Sequence, residues 1–148
     1  MCQALLYETL RIDKYETLRI IPGMTRPTNA ELAILGVLWK RGPSTVREVH
    51  DMLREERDDA VGYTTILKLL QIMTDKKLVQ RDARSRKHVY AAAASEATTR
   101  GHLLSDLVDR AFGGSSTALV LQALSTSRAT PAELDQIRRL LDERKGTT

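Results

Sequence analysis

The sequence predicts a mainly α protein with a small β-hairpin wing, followed by a C-terminal three-helix region. Three observations predict it. Apolar residues recur at helical spacing in six separate segments. Between the third and fourth lie two strand-like runs, Leu78–Asp82 and His88–Ala91, joined by the basic tip Ala83-Arg84-Ser85-Arg86-Lys87. Helix punctuation falls between segments, at Gly42-Pro43, Thr45-x-x-Glu48, Gly113-Gly114 and Thr130-Pro131-x-Glu133. A helix followed by a two-stranded basic hairpin is the arrangement of a winged helix-turn-helix. The chain then divides into an N-terminal extension, 1–23, a winged-helix domain, 24–94, and a helical region, 95–148.

Residues 1–23 carry a direct repeat, Tyr7-Glu8-Thr9-Leu10-Arg11-Ile12 and Tyr15-Glu16-Thr17-Leu18-Arg19-Ile20. Two copies are too few for a solenoid, which takes about three units. One reading is a short amphipathic arm built on Leu6, Leu10 and Leu18. The other is that Met24, just after Pro22-Gly23, is the natural start, and that residues 1–23 are translated upstream DNA. Next, Asn29 is expected to cap a first helix, Ala30–Lys40, with Leu32, Leu35, Leu38 and Trp39 as its apolar stripe and Trp39 in the core. Arg41-Gly42-Pro43 stops it. Thr45-x-x-Glu48 is a capping box that opens a second helix, with Val46, Val49, Met52 and Leu53 inward. Arg54–Asp59 with Ala60 reads as a charged connection.

The third helix is the centre of the reading. Ile66, Leu69, Leu70 and Met73 recur at the spacing of one buried face, leaving Thr64, Thr65, Lys68 and Gln71 outward. Behind the wing, Ser95 caps a fourth helix with Leu103, Leu104, Leu107, Val108 and Ala111 on one face. Gly113-Gly114 ends it, and a fifth helix from about Ser116 carries Leu119, Val120, Ala123 and Leu124. Thr130-Pro131-x-Glu133 opens a sixth, with Leu134, Ile137, Leu140 and Leu141 as its stripe. Three helices of this size have trouble covering their apolar faces alone. They either pair with a second copy or fold back onto the winged domain.

The net charge is +4, and its placement is informative. Residues 62–92 carry seven positive and two negative groups, against six and seven in 24–61 and seven of each in 93–148. Such a local surplus is the footprint of a polyanion partner, with a solvated charged surface as the plainer reading. Double-stranded DNA suits it, because the first turn of a helix in a major groove meets base edges and phosphates. Thr64 and Thr65 stand on that turn and either read DNA or cap the helix, and Lys68 follows one turn later. Tyr63 either grips a phosphate or packs beneath the helix. Arg84, Arg86 and Lys87 are candidate phosphate contacts, and an arginine at the tip also suits a minor groove. Ser44 and Thr45 are candidates to bring backbone N–H groups to a phosphate as well as to cap. The alternative function is a winged-helix module that binds another protein.

Other classes are disfavoured. Cys2 is the only cysteine, which leaves no disulfide and no multi-cysteine metal site within one chain. His50, His88 and His102 are scattered, and no triad, zinc spacing or Walker loop occurs. No catalytic residue, metal or cofactor is therefore expected. Aromatic residues make up 4%, too few for a base-stacking platform. No apolar run approaches the roughly 18 residues of a membrane span, so no membrane insertion is expected, nor does the start read as a secretion signal. A bacterial cytoplasm is the expected location.

Four blocks, Leu38–Leu53, Gly62–Leu70, Lys77–Arg81 and His88–Tyr90, together resemble the penicillinase-repressor (BlaI/MecI) family. The resemblance runs over about residues 27–145. It implies a dimeric repressor that binds a palindromic operator, with contacts at the positions of Thr64 and Thr65 and dimerisation through the last three helices. The residues expected there are Leu103, Leu104, Leu107, Val108, Ala111, Leu119, Val120, Leu124, Ile137 and Leu141. Similar repressors are inactivated by cleavage in the fourth helix after a signal from a membrane metalloprotease sensor. Alignment on Phe112 to Val120 puts that bond at Asp106-Leu107, where family members with known cleavage carry Asn-Phe. Copper-responsive relatives use a C-terminal cysteine cluster, which this chain lacks.

Overall fold

A computed structural model describes residues 25–56, 61–84 and 86–147; the N-terminal repeat and the proposed start at Met24 lie outside them. The elements are α1 (Asn29–Arg41), β1 (Ser44–Thr45), α2 (Val46–Glu56), α3 (Tyr63–Asp75), β2 (Val79–Asp82), β3 (Val89–Ala92), α4 (Glu96–Ala111), α5 (Ser116–Thr126) and α6 (Pro131–Lys145). The predicted class holds: helices dominate, with a small antiparallel sheet in the order β1-β3-β2.

Two compact units divide inside α4, between Leu103 and Leu104. In the first, α1, α2 and α3 enclose a core of Ile34, Leu35, Val37, Leu38, Val46, Val49, Leu53, Ile66, Leu70 and Met73, closed by Leu78, Val79 and Tyr90 from the wing. Each residue here supplies the apolar face its helical or strand period demands. β2 and β3 pair from Val79 opposite Ala92 to Asp82 opposite Val89. The third strand, β1, sets Ser44 against Tyr90 and Thr45 against Val89, which ties the turn before α2 to the wing. At the end of α3, Lys77 takes a left-handed conformation (φ 61°). The N–H of Leu78 then closes onto the Met73 carbonyl at 2.9 Å, turning the chain into β2.

Several local expectations change. The cap of α1 is Thr28, not Asn29, and it forms a capping box with Glu31. The buried stripe of α1 is Ile34, Leu35, Val37 and Leu38, with Leu32 and Trp39 half-buried. Trp39 is held at the edge because its indole Nε1 donates to the Ala94 carbonyl at 3.0 Å; burying an indole N–H without a partner is costly. Residues Arg54, Glu55 and Glu56 belong to α2 and not to a connection; residues 57–60 lie outside the described set.

The second unit holds the end of α4 with α5 and α6. Gly113 and Gly114 both have positive φ, 56° and 83°, which stops α4 as the sequence predicts. Ser115 caps α5, and Thr130 with Glu133 forms the expected capping box of α6, with Pro131 in its first turn. Neither α5 nor α6 has a buried residue among those described.

Candidate nucleic-acid interface

The N-terminus of α3 differs from those of α1, α2 and α6. α1, α2 and α6 each close their first turn with a threonine and a glutamate three residues on: Thr28 with Glu31, Thr45 with Glu48, Thr130 with Glu133. Each of these carboxyls lies below its ordinary pKa. For Glu48 and Glu133 the main cause is the hydrogen bond from the cap backbone N–H. At Glu31, burial pushes the pKa up, but hydrogen bonds from Lys76 and Thr28 and the Lys76 charge outweigh it. α3 instead begins at Gly62, with no side-chain cap and no acidic residue in its first turn. Helix-start N–H groups and the positive end of the helix dipole are thus left without a carboxylate of their own.

Thr64, Thr65, Lys68 and Gln71 are all exposed on this helix, while Ile66, Leu70 and Met73 opposite them are buried. Neither threonine caps the helix, and neither hydroxyl has a hydrogen-bond partner among the described residues. Tyr63 is 48% exposed, so it does not pack beneath α3. Its ring meets His50 of α2 edge-on, centroids 6.2 Å apart at 65°.

The wing tip brings Arg84, Arg86 and Lys87 to the surface. The backbone N–H of Arg84 donates to Asp82 at 2.9 Å, which pins the turn. A groove of about 760 Å3 runs along the wing, lined by Pro43, Gln80, Arg81, Asp82, Ala83, Arg84, Val89 and Ala91. Arg81 was not singled out from the sequence, yet it lies beside Arg84 in this groove. The signal available was the unbroken polar run Gln80-Arg81-Asp82, whose three members are all exposed on β2.

Two expected contacts have other duties. Ser44 is 1% exposed, and its hydroxyl donates to the Gly42 carbonyl at 2.9 Å. The Thr45 N–H donates to Glu48 Oε2 at 2.8 Å, and its hydroxyl to the same oxygen at 3.0 Å. The Ser44 hydroxyl is thus committed within the fold, and the Thr45 N–H, one of the two expected to reach a phosphate, already has its anion. Lys76 also leaves the basic surface. Its Nζ binds both oxygens of Glu31, at 2.8 and 3.0 Å, and Glu31 is 2% exposed. That pair fastens the first turn of α1 to the residue just past α3.

In the second unit, Leu104, Leu107, Val120, Leu124 and Leu141 are exposed, as are Leu121, Leu134 and Leu140. Ala111 is exposed too, Leu119 and Ile137 are half-buried, and Val108 is the one expected interface residue buried within the chain. Leu103, half-buried, closes the first unit. Asp106 is half-buried in α4 and paired with Arg110 at 3.4 Å, next to exposed Leu107. Among the described residues no cluster of His, Cys, Asp or Glu could hold a metal ion, and no helix is long and apolar enough to cross a membrane.

Comparison with known proteins gives a consistent set of likenesses. The profile of the penicillinase repressor family matches residues 27–143. The transcriptional regulator BlaI of Mycobacterium tuberculosis (strain H37Rv) is 33% identical over 122 residues, covering 81% of this chain and 86% of that protein. Among solved structures, monomeric Bacillus licheniformis BlaI in complex with the blaP half-operator superposes with a TM-score of 0.43 at 23% identity, over 51% of this chain and 89% of its own. BpsR of Bordetella bronchiseptica, whose DNA binding is regulated by 6-hydroxynicotinic acid, gives 0.40 at 17% identity, over 99% of this chain and 94% of its own.

Proposed function

Since the chain belongs to the penicillinase repressor family, a family of transcriptional regulators and not of enzymes, we propose that it is a homodimeric repressor of a palindromic operator. The observation that carries this reading is the open first turn of α3. There Thr64, Thr65 and Lys68 are exposed, and no carboxylate occupies the helix start. A threonine methyl suits a thymine methyl, its hydroxyl suits a base or phosphate, and a lysine suits guanine O6 and N7. Arg81, Arg84, Arg86 and Lys87 then grip phosphates from the wing, fixing orientation without reading sequence.

The apolar surface of the second unit supports dimerisation. Eight large aliphatic side chains, gathered on the three consecutive helices α4, α5 and α6, are at least 37% exposed, and apolar surface concentrated in one small unit marks an interaction site where single exposed residues would not. A dimer presents two α3 helices to two half-sites of a duplex. The proposal extends to derepression: cleavage in α4, at or near Asp106-Leu107, under the control of a membrane metalloprotease sensor. It would sever the winged unit from the part that pairs, so each half-site would be found independently and occupancy would fall. Acting on DNA, the protein would work in the bacterial cytoplasm.

The test is binding of purified protein to promoter DNA over a salt series. Affinity should fall steeply, since each phosphate contact contributes about 0.9 to the log–log slope. Thr64→Ala or Thr65→Ala should cost about 1–3 kcal/mol of discrimination between operator and unrelated DNA. Affinity independent of salt would sink the reading in favour of a protein partner.

A further inference from the structure

The proposed function leaves Tyr63 and His50 without a role. Tyr63 is the first residue of α3 and is 48% exposed. Its hydroxyl has no hydrogen-bond partner among the described residues. Side chains of a helix lean toward its N-terminus, so a ring in the first position extends past the turn that carries Thr64 and Thr65. A large side chain left half in solvent, with a free donor at its end, is not explained by the core beneath it.

His50 of α2 supplies what holds that ring. Val49 and Leu53 of α2 share the core with Ile66 and Leu70 of α3, which seats one helix against the other. The seating brings the imidazole of His50 to the Tyr63 ring, centroids 6.2 Å apart at 65°, an edge-on pair. The His50 side chain is 20% exposed, and its Nδ1 donates to Asp51 at 3.2 Å. A carboxylate on one ring nitrogen fixes the orientation of the imidazole. An exposed tyrosine with no neighbour would sample several rotamers and lose affinity in ordering one of them on binding. Here the ordering is done before a partner arrives.

Resting on the DNA-binding reading above, we infer that His50 is a positioning residue, holding Tyr63 so that the phenol hydroxyl donates to a backbone phosphate of the duplex. The contact differs in kind from those of the wing arginines. A neutral phenol displaces no counterion, so it adds affinity without adding salt dependence. A phosphate carries no base identity, so the contact serves operator and unrelated DNA alike. α2 then has a part in the grip through a side chain that acts on its neighbour and not on the DNA.

The test uses the full chain with promoter DNA and with a random-sequence duplex. Tyr63→Phe should weaken binding to both roughly tenfold and leave the log–log salt slope unchanged. This variant loses only an exposed, unpartnered hydroxyl, so it keeps the fold and tests the contact whatever the His50 variants do. His50→Ala should weaken binding about threefold, and His50→Phe, which retains a ring, should restore it. In the Tyr63→Phe background His50→Ala should cost nothing more, because the two residues act as one unit. A loss from His50→Ala that is the same in both backgrounds overturns the positioning role, as does failure of a folded His50→Phe to restore binding. Full affinity in Tyr63→Phe overturns the phosphate contact, and so does a loss confined to promoter DNA. Each of these results leaves DNA binding standing. Failure of the wild-type chain to bind either duplex even at low salt overturns both.

Discussion

The two units of this chain are built from helices of similar length and similar periodicity, yet they end in opposite states. In the first, α1, α2 and α3 turn their apolar stripes into one core, where Ile34, Val49, Leu70 and Met73 are fully covered. In the second, α5 and α6 carry stripes as regular, and among the described residues nothing in them is buried. Amphipathic pattern therefore specifies that a face must be covered and leaves open what covers it. In the winged unit the wing does the covering: Leu78, Val79 and Tyr90 close the side of the core that three short helices leave open. Among the described residues the second unit has no such element, and in the proposed dimer another copy would supply the cover.

The largest expected effects test this contrast directly. Leu70→Ala removes a fully buried side chain and should destabilise the winged unit by about 2–5 kcal/mol, read by chemical denaturation. Leu107→Asp, at a position 47% exposed, should leave that unit's unfolding unchanged. It should convert dimer to monomer in sedimentation, because an unpaired carboxylate would have to be buried at the interface. A monomeric wild-type protein whose second unit nevertheless resists denaturation would break the comparison.

A smaller effect belongs to the ion pair between Glu31 and Lys76. Lys76→Met leaves a carboxylate that is 2% exposed without its cation; because Lys76 itself is 27% exposed, the cost should fall below the roughly 3 kcal/mol of a fully buried pair. The pH dependence has a definite sign. The carboxyl of Glu31 is held below its ordinary value in the fold. The pair's contribution is therefore complete above the unfolded carboxyl's pKa, near 4.5, and is lost as pH falls through the lower folded value. In Lys76→Met that acid-side loss should shrink, which a stability profile across the acid range would reveal. Because the pair joins the start of α1 to the end of α3, the variant should also weaken operator discrimination even where the protein is fully folded.

How much of this was legible in the sequence differs between the same two regions. The face of α3 could be read because burial there follows a single period. The capping box at Thr45 and Glu48 could be read because its chemistry is local. Thr28-x-x-Glu31 has the same form, but Asn29 stands next to it and asparagine is at least as good a cap, so the sequence alone does not favour Thr28. β1 could not be read: two residues show no alternation. Nor could the tie of Glu31 to Lys76, whose partners lie 45 residues apart, so that a cation counted with the basic surface proved to be spent inside the fold. Along α5 and α6 the helices themselves were plain, including the cap at Thr130, but no pattern within one chain distinguishes a face that folds inward from one that waits for a partner.

The smallest expected effect separates the two regions by charge. Arg84 is exposed at the wing tip, and the turn beneath it is held by its backbone N–H on Asp82, a bond that alanine retains. Arg84→Ala should therefore leave stability within about 0.5 kcal/mol of wild type. It should flatten the salt dependence of DNA binding by about one in the log–log slope, equally for operator and unrelated DNA. Arg138→Ala removes another exposed arginine, from α6, one paired loosely with Asp135 at 3.7 Å. It should leave the slope where it was. If the two variants lower the slope alike, the charge that meets DNA is spread over the whole molecule and the wing has no special part in binding. If only Arg84→Ala does, the positive surplus of residues 62–92 acts as a localised grip, and the second unit contributes to DNA affinity only through the pairing of copies.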